Sequence, residues 1–351
     1  MADALRPREA VLRMAPYSPP TGGRAGKLRL DFNENTVGCS PRVIEFLKRR
    51  LEAGGLAVYP EYGEARAAVA GFFGVSTEQL LLSNGTDEAI QVIVNTYVGA
   101  GDDILLLRPS YAMYRFYAEV AGASIREVDY RPGNLEFPLE ELLGAIRPET
   151  RAILIANPNN PTGTGAGIEG IEKILEEAPR AAVLIDEAYF EFNGVTVLPL
   201  IGRAPNLFVS RTFSKAYGMA AMRLGCVLSQ AENIRYLRKA QSPYSVNALA
   251  ALAATEAVRD REYIDGYVAE VLAARELLYE GFERLKIPYL RSQANFVLFQ
   301  AGARAIEVRD KLRDMGVLVR DRSYELPGSV RVTVGTREQV RRFLAALEAI
   351  W

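Results

Sequence analysis

Short apolar runs alternate with longer helical stretches between Asp31 and about Ala240. The runs are continuously apolar, and a strand of that kind needs cover on both faces of its sheet. The pattern therefore predicts an α/β fold whose large, mostly parallel sheet is sandwiched by helices. The expected strands are 79–82, 103–107, 124–128, 152–155, 181–185, 207–209 and 224–228, and the expected helices include 86–98 and 168–177.

The two ends of the chain have a different pattern. Residues 1–30 carry prolines and glycines at a spacing that opposes regular structure, which predicts an N-terminal arm. After about Ala240 the pattern predicts helices at 247–259, 266–285, 303–315 and 337–350, with strands at 295–300, 317–320 and 329–334. We therefore expect an arm (1–30), a large domain (31–240) and a smaller α+β domain (241–351).

Composition excludes several kinds of chemistry. The chain has 351 residues, no histidine, and two cysteines, Cys39 and Cys226. Neither a histidine-based nucleophile pair nor a common zinc site can form, so we expect no metal. The net charge of −1 gives no support to nucleic-acid binding, and no apolar run approaches the ~20 residues of a membrane span. These features predict a cytoplasmic protein that moves protons with Lys, Tyr, Asp, Glu or Cys side chains.

Two side chains that follow predicted strands suggest amine chemistry. Lys215 follows the run 207–209 and lies among small and hydroxyl-bearing residues. An amine that is poorly solvated has a lowered pKa and can attack an aldehyde. Asp186 ends the run 181–185, where a carboxylate can hold a pyridine nitrogen in its protonated form. A helix N-cap or a metal ligand is the alternative role for Asp186.

Three further features also follow predicted strands, and a fourth is a pair of arginines near the ends of the two late strands. The segment 83–88 suits a phosphate dianion at a helix N-terminus, although a simple capped helix has the same residues. The stiff turn 157–163 contains prolines that can orient an asparagine side chain. Tyr111 either stacks on a planar cofactor or belongs to the core. Arg320 and Arg331 either bind an anion or lie in solvent on an edge strand.

Five spaced motifs together resemble the pyridoxal-phosphate-dependent class-II aminotransferases of the aspartate aminotransferase fold. The motifs are Ser-Asn-Gly-Thr-Asp-Glu (83–88), Asn-Pro-Asn-Asn-Pro-Thr-Gly (157–163), Asp-Glu-Ala-Tyr (186–189), Arg-Thr-Phe-Ser-Lys-Ala (211–216) and Val-Arg-Val-Thr-Val-Gly-Thr (330–336). Within this family the chain is most similar to the histidinol-phosphate branch. The resemblance implies reversible transamination between histidinol phosphate and 2-oxoglutarate, with pyridoxal 5'-phosphate as cofactor.

The resemblance also implies a role for each matching residue. Lys215 would bind the cofactor aldehyde and move the substrate proton, Asp186 would pair with the ring nitrogen, and Tyr111 would stack on the ring. The remaining cofactor contacts would be Gly85, Thr86, Asp87, Asn160, Tyr189, Thr212, Ser214 and Arg223, with Tyr59 reaching the cofactor of a second subunit in a homodimer. Tyr17, Arg320 and Arg331 would contact the substrate.

Other functions remain open from the sequence. An aromatic amino acid aminotransferase or an amino-acid-phosphate decarboxylase could use the same scaffold. A cofactor-binding sensor without turnover would share the fold as well. A nicotinamide oxidoreductase is disfavoured because the chain has no Gly-x-Gly-x-x-Gly loop.

Overall fold

The computed structural model of the protein describes residues 5–16, 22–51 and 57–351. Its helices are α1 (Glu9–Leu12), α2 (Pro41–Leu51), α3 (Gly63–Phe73), α4 (Gly85–Tyr97), α5 (Ala112–Ala121), α6 (Leu139–Ala145), α7 (Ile168–Glu177), α8 (Ala231–Ala240), α9 (Ala248–Ala257), α10 (Arg261–Arg284), α11 (Ala305–Asp314) and α12 (Arg337–Glu348). Its strands are β1 (Leu28–Arg29), β2 (Leu80–Ser83), β3 (Asp103–Arg108), β4 (Ser124–Asp129), β5 (Thr150–Ala156), β6 (Ala182–Asp186), β7 (Leu207–Thr212), β8 (Gly225–Leu228), β9 (Phe296–Gln300), β10 (Val317–Leu318), β11 (Arg320–Asp321) and β12 (Ser329–Thr333).

The main sheet of the described chain has seven strands in the order β2-β8-β7-β6-β5-β3-β4. Strands β3 to β7 pair in parallel, and β8 runs antiparallel to both of its neighbours, β2 and β7. Parallel neighbours place their carboxyl ends at one edge, where ligands of such sheets bind. The predicted α/β fold with a large, mostly parallel sheet is therefore confirmed.

Successive residues of the central strands pack into two separate cores. In β6, Val183 and Ile185 belong to one core, whereas Ala182 and Leu184 belong to the other. Helices α4, α5 and α8 cover the second core, and α7, α9 and α10 contribute to the first. Both faces of the sheet are thus buried, which explains why its strands are continuously apolar in sequence.

The C-terminal part of the chain forms a smaller antiparallel sheet, β11-β12-β9. Arg331 of β12 lies opposite Leu298 of β9 on one side and opposite Arg320 of β11 on the other. Helices α10 and α12 pack closely beside this sheet at Gly281, where a Cβ atom would lie 2.5 Å from the Leu344 side chain. This part of the structure agrees with the expected smaller α+β unit, while the exact domain boundaries remain predictions.

Two predictions about segments were wrong. The segment 1–30 was expected to contain no regular structure, yet it includes α1 and β1. Strand β1 pairs in parallel with β10, so it ties this segment to the C-terminal part. The expected strand 317–320 is two strands, β10 and β11, which pair with different partners. No helix within the described residues is long and apolar enough to cross a membrane.

A buried ion pair joins the ends of β6 and β7. Arg211 donates a hydrogen bond from Nε to Glu187 Oε2 at 2.8 Å, its Nη2 lies 2.6 Å from the same oxygen, and both side chains are almost fully buried. The guanidinium also lies 3.6 Å from the centroid of the Phe190 ring. Burial raises the pKa of Glu187, although Arg211 and the hydrogen bonds from Val197 and Thr196 oppose the shift.

We expect Glu187→Ala to lower the free energy of unfolding by about 3–5 kcal/mol, because it removes the hydrogen-bonded ion-pair partner of the buried Arg211 guanidinium. Urea unfolding followed by circular dichroism would measure the change. Glu348→Ala is the matched control, because Glu348 pairs with Arg284 at 2.6 Å on the exposed surface. Equal effects of the two substitutions would contradict the dependence on burial.

Candidate active site

A cavity of about 520 Å³ lies at the carboxyl edge of the main sheet, next to the smaller sheet. Its volume is within the range of pockets that bind cofactors and small ligands. Many of the residues that line it follow β3, β5, β6 and β7 or belong to β11 and β12, and others come from the segment 24–34, the start of α4 and the turn after β11. The topology thus brings together side chains that are far apart in the sequence.

Asp186 is the last residue of β6 and is buried at one side of the cavity. Its Oδ1 accepts a hydrogen bond from Ser210 Oγ at 2.8 Å, and its Oδ2 accepts one from Tyr114 Oη at 2.9 Å. Both donors are neutral, and no ion pair among the described residues involves this carboxylate. Burial therefore raises the pKa of Asp186 to about 6, although the two hydroxyls oppose the shift. A cationic N–H in the cavity would reverse this effect.

Lys215 lies just beyond β7 and lines the same cavity. Its Nζ donates a hydrogen bond to the backbone oxygen of Phe32 at 3.0 Å. Burial, helped by the nearby Arg331 guanidinium and opposed by Glu34, lowers the pKa of Lys215 to about 8. Near pH 7 roughly a tenth of the amine is consequently unprotonated and nucleophilic, far more than for an ordinary lysine.

The N-terminus of α4 forms another part of the cavity. Asp87, in the first turn, accepts hydrogen bonds from Tyr111 Oη at 2.8 Å and from Arg223 Nη2 at 3.1 Å. Gly85 has a positive φ of 73°, and a Cβ there would lie 2.6 Å from Arg223 Nη2. The N–H groups of a first helical turn have no acceptor within the helix, and here they meet the helix dipole and the Arg223 guanidinium, which is a favourable arrangement for a phosphate group. Thr86, Thr212 and Ser214 supply hydroxyls to the same cavity.

The smaller sheet contributes arginines to the cavity. Arg331 is buried and donates from Nη1 to Asn160 Oδ1 at 2.5 Å and from Nη2 to the backbone oxygen of Asp31 at 2.8 Å. Arg320 lies directly opposite on the neighbouring strand and also lines the cavity. Like charges that face each other across strands repel, so an anion between them is favoured.

Most residues that the sequence singled out meet in this cavity. Those that line it are Thr86, Asp87, Tyr111, Asn160, Asp186, Tyr189, Thr212, Ser214, Lys215, Arg223, Arg320 and Arg331. Gly85 lies beside them, against Arg223. Tyr59 is not brought into the cavity: it is largely exposed and stacks on Tyr244 with ring centroids 4.4 Å apart. Tyr17 lies outside the described residues.

Sequence reasoning missed residues that line the cavity and one that lies buried behind it. Tyr114, whose hydroxyl bonds Asp186, lies one helical turn after Tyr111, so its i+3 spacing was an available signal. Arg322 lies two residues after Arg320 and therefore on the same face of the strand. Arg24 and Phe32 also line the cavity, and no local pattern in the sequence indicates that they do.

Comparison with known proteins agrees with this arrangement. The family described as aminotransferase class I and II matches residues 25–347. A histidinol-phosphate aminotransferase of Symbiobacterium thermophilum is 38% identical over 97% of this chain and 98% of its own length. One from a Geobacillus species (strain WCH70) is 36% identical over 91% of this chain and 89% of its own.

Solved structures have the same fold. Histidinol-phosphate aminotransferase of Sinorhizobium meliloti, crystallised in complex with pyridoxal-5'-phosphate, superposes with a TM-score of 0.88 at 23% identity, over 99% of this chain and 98% of that one. A Thermus thermophilus aspartate aminotransferase mutant superposes with a TM-score of 0.83 at 23% identity, over 98% and 99% of the two chains. The cavity geometry and the extent of these matches lead to one conclusion: the chain belongs to the class I and II aminotransferase family.

Proposed function

We propose that the protein is a pyridoxal-phosphate-dependent aminotransferase of histidine biosynthesis. It would transfer the amino group of histidinol phosphate to 2-oxoglutarate, giving imidazole acetol phosphate and glutamate. The observation that carries the proposal is one cavity that contains the amine of Lys215, the buried carboxylate of Asp186 and paired arginines of the smaller sheet. The names of the relatives with 38% and 36% identity support the choice of substrate.

The residues of the cavity fit this cofactor. Asp186 is buried beside neutral donors, so a protonated ring nitrogen would supply the cationic partner that would favour its ionised form. The N-terminus of α4 and Arg223 suit the phosphate group, and the missing Cβ of Gly85 leaves room at that point. Lys215 offers an amine with a lowered pKa. Tyr111 and Tyr189 offer aromatic and hydroxyl contacts in the same space.

Asp186 and Lys215 would have separate roles in the reaction. When bound, the cofactor supplies an aldehyde that condenses with amines and a ring that withdraws electrons. Asp186 would keep the ring nitrogen protonated. Lys215 Nζ would hold the cofactor, give way to the incoming amine, and then take the proton from the substrate Cα. Burial suits Lys215 for this task, because an amine with a pKa of about 8 is a useful base near neutral pH.

Substrate binding would depend on the arginines of the smaller sheet. The guanidinium of Arg331 is already oriented by Asn160 and by the backbone of Asp31. A planar guanidinium can bind either a carboxylate or a phosphate through two hydrogen bonds, so it can serve both half-reactions. Arg320 lies opposite and would add a second positive charge for the anion.

A single-turnover experiment tests the proposed function. The cofactor-loaded protein would be mixed separately with histidinol phosphate and with phenylalanine, and the visible band of the lysine-bound cofactor would be followed. We expect rapid bleaching with histidinol phosphate and slow bleaching with phenylalanine. The opposite ranking would assign the protein to the aromatic aminotransferases. In a separate assay with an amino-acid phosphate and 2-oxoglutarate, release of carbon dioxide without consumption of 2-oxoglutarate would indicate a decarboxylase instead.

The lowered pKa of Lys215 predicts how cofactor capture depends on pH. Only the unprotonated amine attacks the aldehyde, so the rate constant for capture by the cofactor-free protein should rise with pH and level off above about 8. Stopped-flow absorbance at increasing pH would measure this midpoint. A midpoint near the ordinary lysine value of 10.5 would contradict the effect of burial.

We also propose that two copies of the chain form a homodimer, with Tyr59 close to the cofactor phosphate of the second subunit. Val58, Tyr59 and Tyr244 are large side chains that are 70%, 74% and 54% exposed, an exposure that a second subunit would reduce. Aromatic residues are enriched at such interfaces. Sedimentation equilibrium should give twice the mass of the chain, and a monomer at micromolar concentration would refute the arrangement.

A cytoplasmic location is the last part of the proposal. Cys39 and Cys226 are both free thiols, which suits a reducing compartment. Fractionation of cells that express the tagged protein would test this, and recovery outside the cytoplasm would refute it.

A further inference from the structure

Three arginines meet on one face of the smaller sheet. Arg320 and Arg331 are directly opposite each other in the β11–β12 ladder. The backbone N–H of Arg322 continues this ladder by donating to Ser329 O at 2.9 Å, so the Arg322 side chain lies on the same face as Arg320. All three side chains line the cavity. Burial lowers the pKa of Arg331 to about 10, and repulsion from Arg322 is the next contribution, ahead of that from Arg320.

One carboxylate partly neutralises this cluster. Among the described residues, the three arginines form one ion pair, in which Arg322 Nη2 donates a hydrogen bond to Glu325 Oε1. Both groups belong to the turn between β11 and β12, in which Leu326 N donates to Arg322 O at 2.9 Å. The Arg322 and Glu325 side chains are 10% and 21% exposed, so water screens the pair poorly. If Glu325 is ionised, the three guanidiniums and this carboxylate carry a net charge of about +2.

Two buried N–H donors of the cluster have no acceptor. These are Nε of Arg322 and Nε of Arg331, which find no hydrogen-bond partner among the described residues. An unpaired donor in a buried position is costly, and a ligand oxygen would relieve that cost. Two unsatisfied donors and about two excess positive charges match a phosphate dianion better than a carboxylate monoanion.

We infer that Arg322 distinguishes a phosphate-bearing amino donor from a carboxylate-bearing one, and that Glu325 holds Arg322 until the phosphate replaces it. This inference rests on the proposed function, in which the two kinds of donor use the same cavity in alternate half-reactions. The α-carboxylate of glutamate or of 2-oxoglutarate would use the guanidinium of Arg331 alone. The phosphate ester would in addition recruit Arg322, which gives up its ion pair with Glu325 and gains two phosphate oxygens. Arg322 is therefore a specificity-determining residue. Its replacement should affect the half-reaction with the phosphate ester and hardly affect the half-reaction with glutamate.

The experiment compares cofactor-loaded Arg322→Gln with the wild type. Half-reaction titrations with histidinol phosphate, with histidinol and with glutamate give three affinities, and calorimetry with inorganic phosphate gives a fourth that does not depend on turnover. We expect the variant to bind histidinol phosphate and inorganic phosphate about 10- to 100-fold more weakly, since charge-assisted hydrogen bonds are lost. The affinities for histidinol and glutamate should change by less than about 3-fold.

Two further variants separate recognition from folding. Arg322→Lys keeps the positive charge but lacks the planar guanidinium that can donate two parallel hydrogen bonds. It should therefore bind phosphate more tightly than Arg322→Gln and more weakly than the wild type. Arg313→Gln, which removes an exposed arginine of α11 paired with Asp310, is the matched control and should bind all four ligands as the wild type does. A similar loss of affinity for all four ligands in Arg322→Gln would show a structural role and overturn the inference.

The exchange of partners has its own test. Glu325→Gln removes the competing carboxylate, so inorganic phosphate should bind several-fold more tightly to this variant. Weaker binding would mean that Glu325 only positions Arg322, and the exchange would be refuted. If wild-type protein does not react with histidinol phosphate, the proposed function fails. Calorimetry with inorganic phosphate would then still decide whether Arg322 and Glu325 act on a phosphate dianion.

Discussion

Replacing Lys215 with alanine should lower the rate of transamination by at least about 1,000-fold, because the substitution removes the general base together with the amine that holds the cofactor. The side chain is the amine that faces the cavity, with its Nζ 3.0 Å from the backbone oxygen of Phe32. Steady-state turnover with histidinol phosphate and 2-oxoglutarate measures the loss. The visible absorption band of the lysine-bound cofactor should disappear in the same variant.

The controls for this prediction use other lysine positions and an added base. Lys239→Ala, which removes an exposed lysine of α8, should retain full turnover and the visible band. A small primary amine in the buffer should restore part of the Lys215→Ala activity, since it can take the proton in place of Nζ. Substantial turnover by Lys215→Ala without any added amine would refute the assigned role.

The main sheet could be predicted because its physical cause is visible in every strand. Val183, Leu184 and Ile185 are apolar in succession, and the structure buries them on alternate faces in two separate cores. Site residues were predictable for a related reason: Asp186 ends its strand and Lys215 follows the next one, where ligands of parallel sheets bind. Each of these signals lies within a few residues of the side chain concerned.

Pairings between distant segments could not be predicted in the same way. Strand β1 has two residues, too few to show any periodicity, and its partner β10 lies almost at the other end of the chain. The backbone oxygen of Asp31 accepts from Arg331, a residue 300 positions later. Such contacts depend on how the smaller sheet sits against the first segment, and that arrangement is a property of the whole fold.

Arg322 is an intermediate case. It repeats Arg320 at the two-residue period of a strand, and that pattern predicts a shared face. The expected strand 317–320 ended before Arg322. In the structure this region is divided into β10 and β11, and the pairing of β11 with β12 continues through the backbone of Arg322. The expected strand thus ended one residue before β11 does and two residues before the backbone hydrogen bond of Arg322, which was enough to miss a residue of the cavity.

Replacing Asp186 with asparagine should slow the half-reaction with histidinol phosphate by about 100- to 1,000-fold, since it removes the fixed negative charge beside the ring nitrogen. The amide has nearly the same shape, and it can still accept a hydrogen bond from the hydroxyl of Ser210 or Tyr114. Single-turnover bleaching measures the rate. Tyr114→Phe, which removes one neutral donor and keeps the carboxylate, is the matched control and should slow the reaction much less.

The Asp186→Asn substitution should also change how the stability of the cofactor-free protein depends on pH. Burial raises the pKa of Asp186 from 3.8 to about 6, so the folded state holds this proton more tightly than the unfolded state does. The wild type should therefore lose stability through this group as pH rises from 3.8 to about 6, and Asp186→Asn should not. Urea unfolding across that range measures the difference between the two proteins. If the free energies of unfolding of the two proteins changed with pH in the same way, burial would not disfavour the ionised form of Asp186. The proposed pairing of this carboxylate with a cationic ring nitrogen would then lose its support.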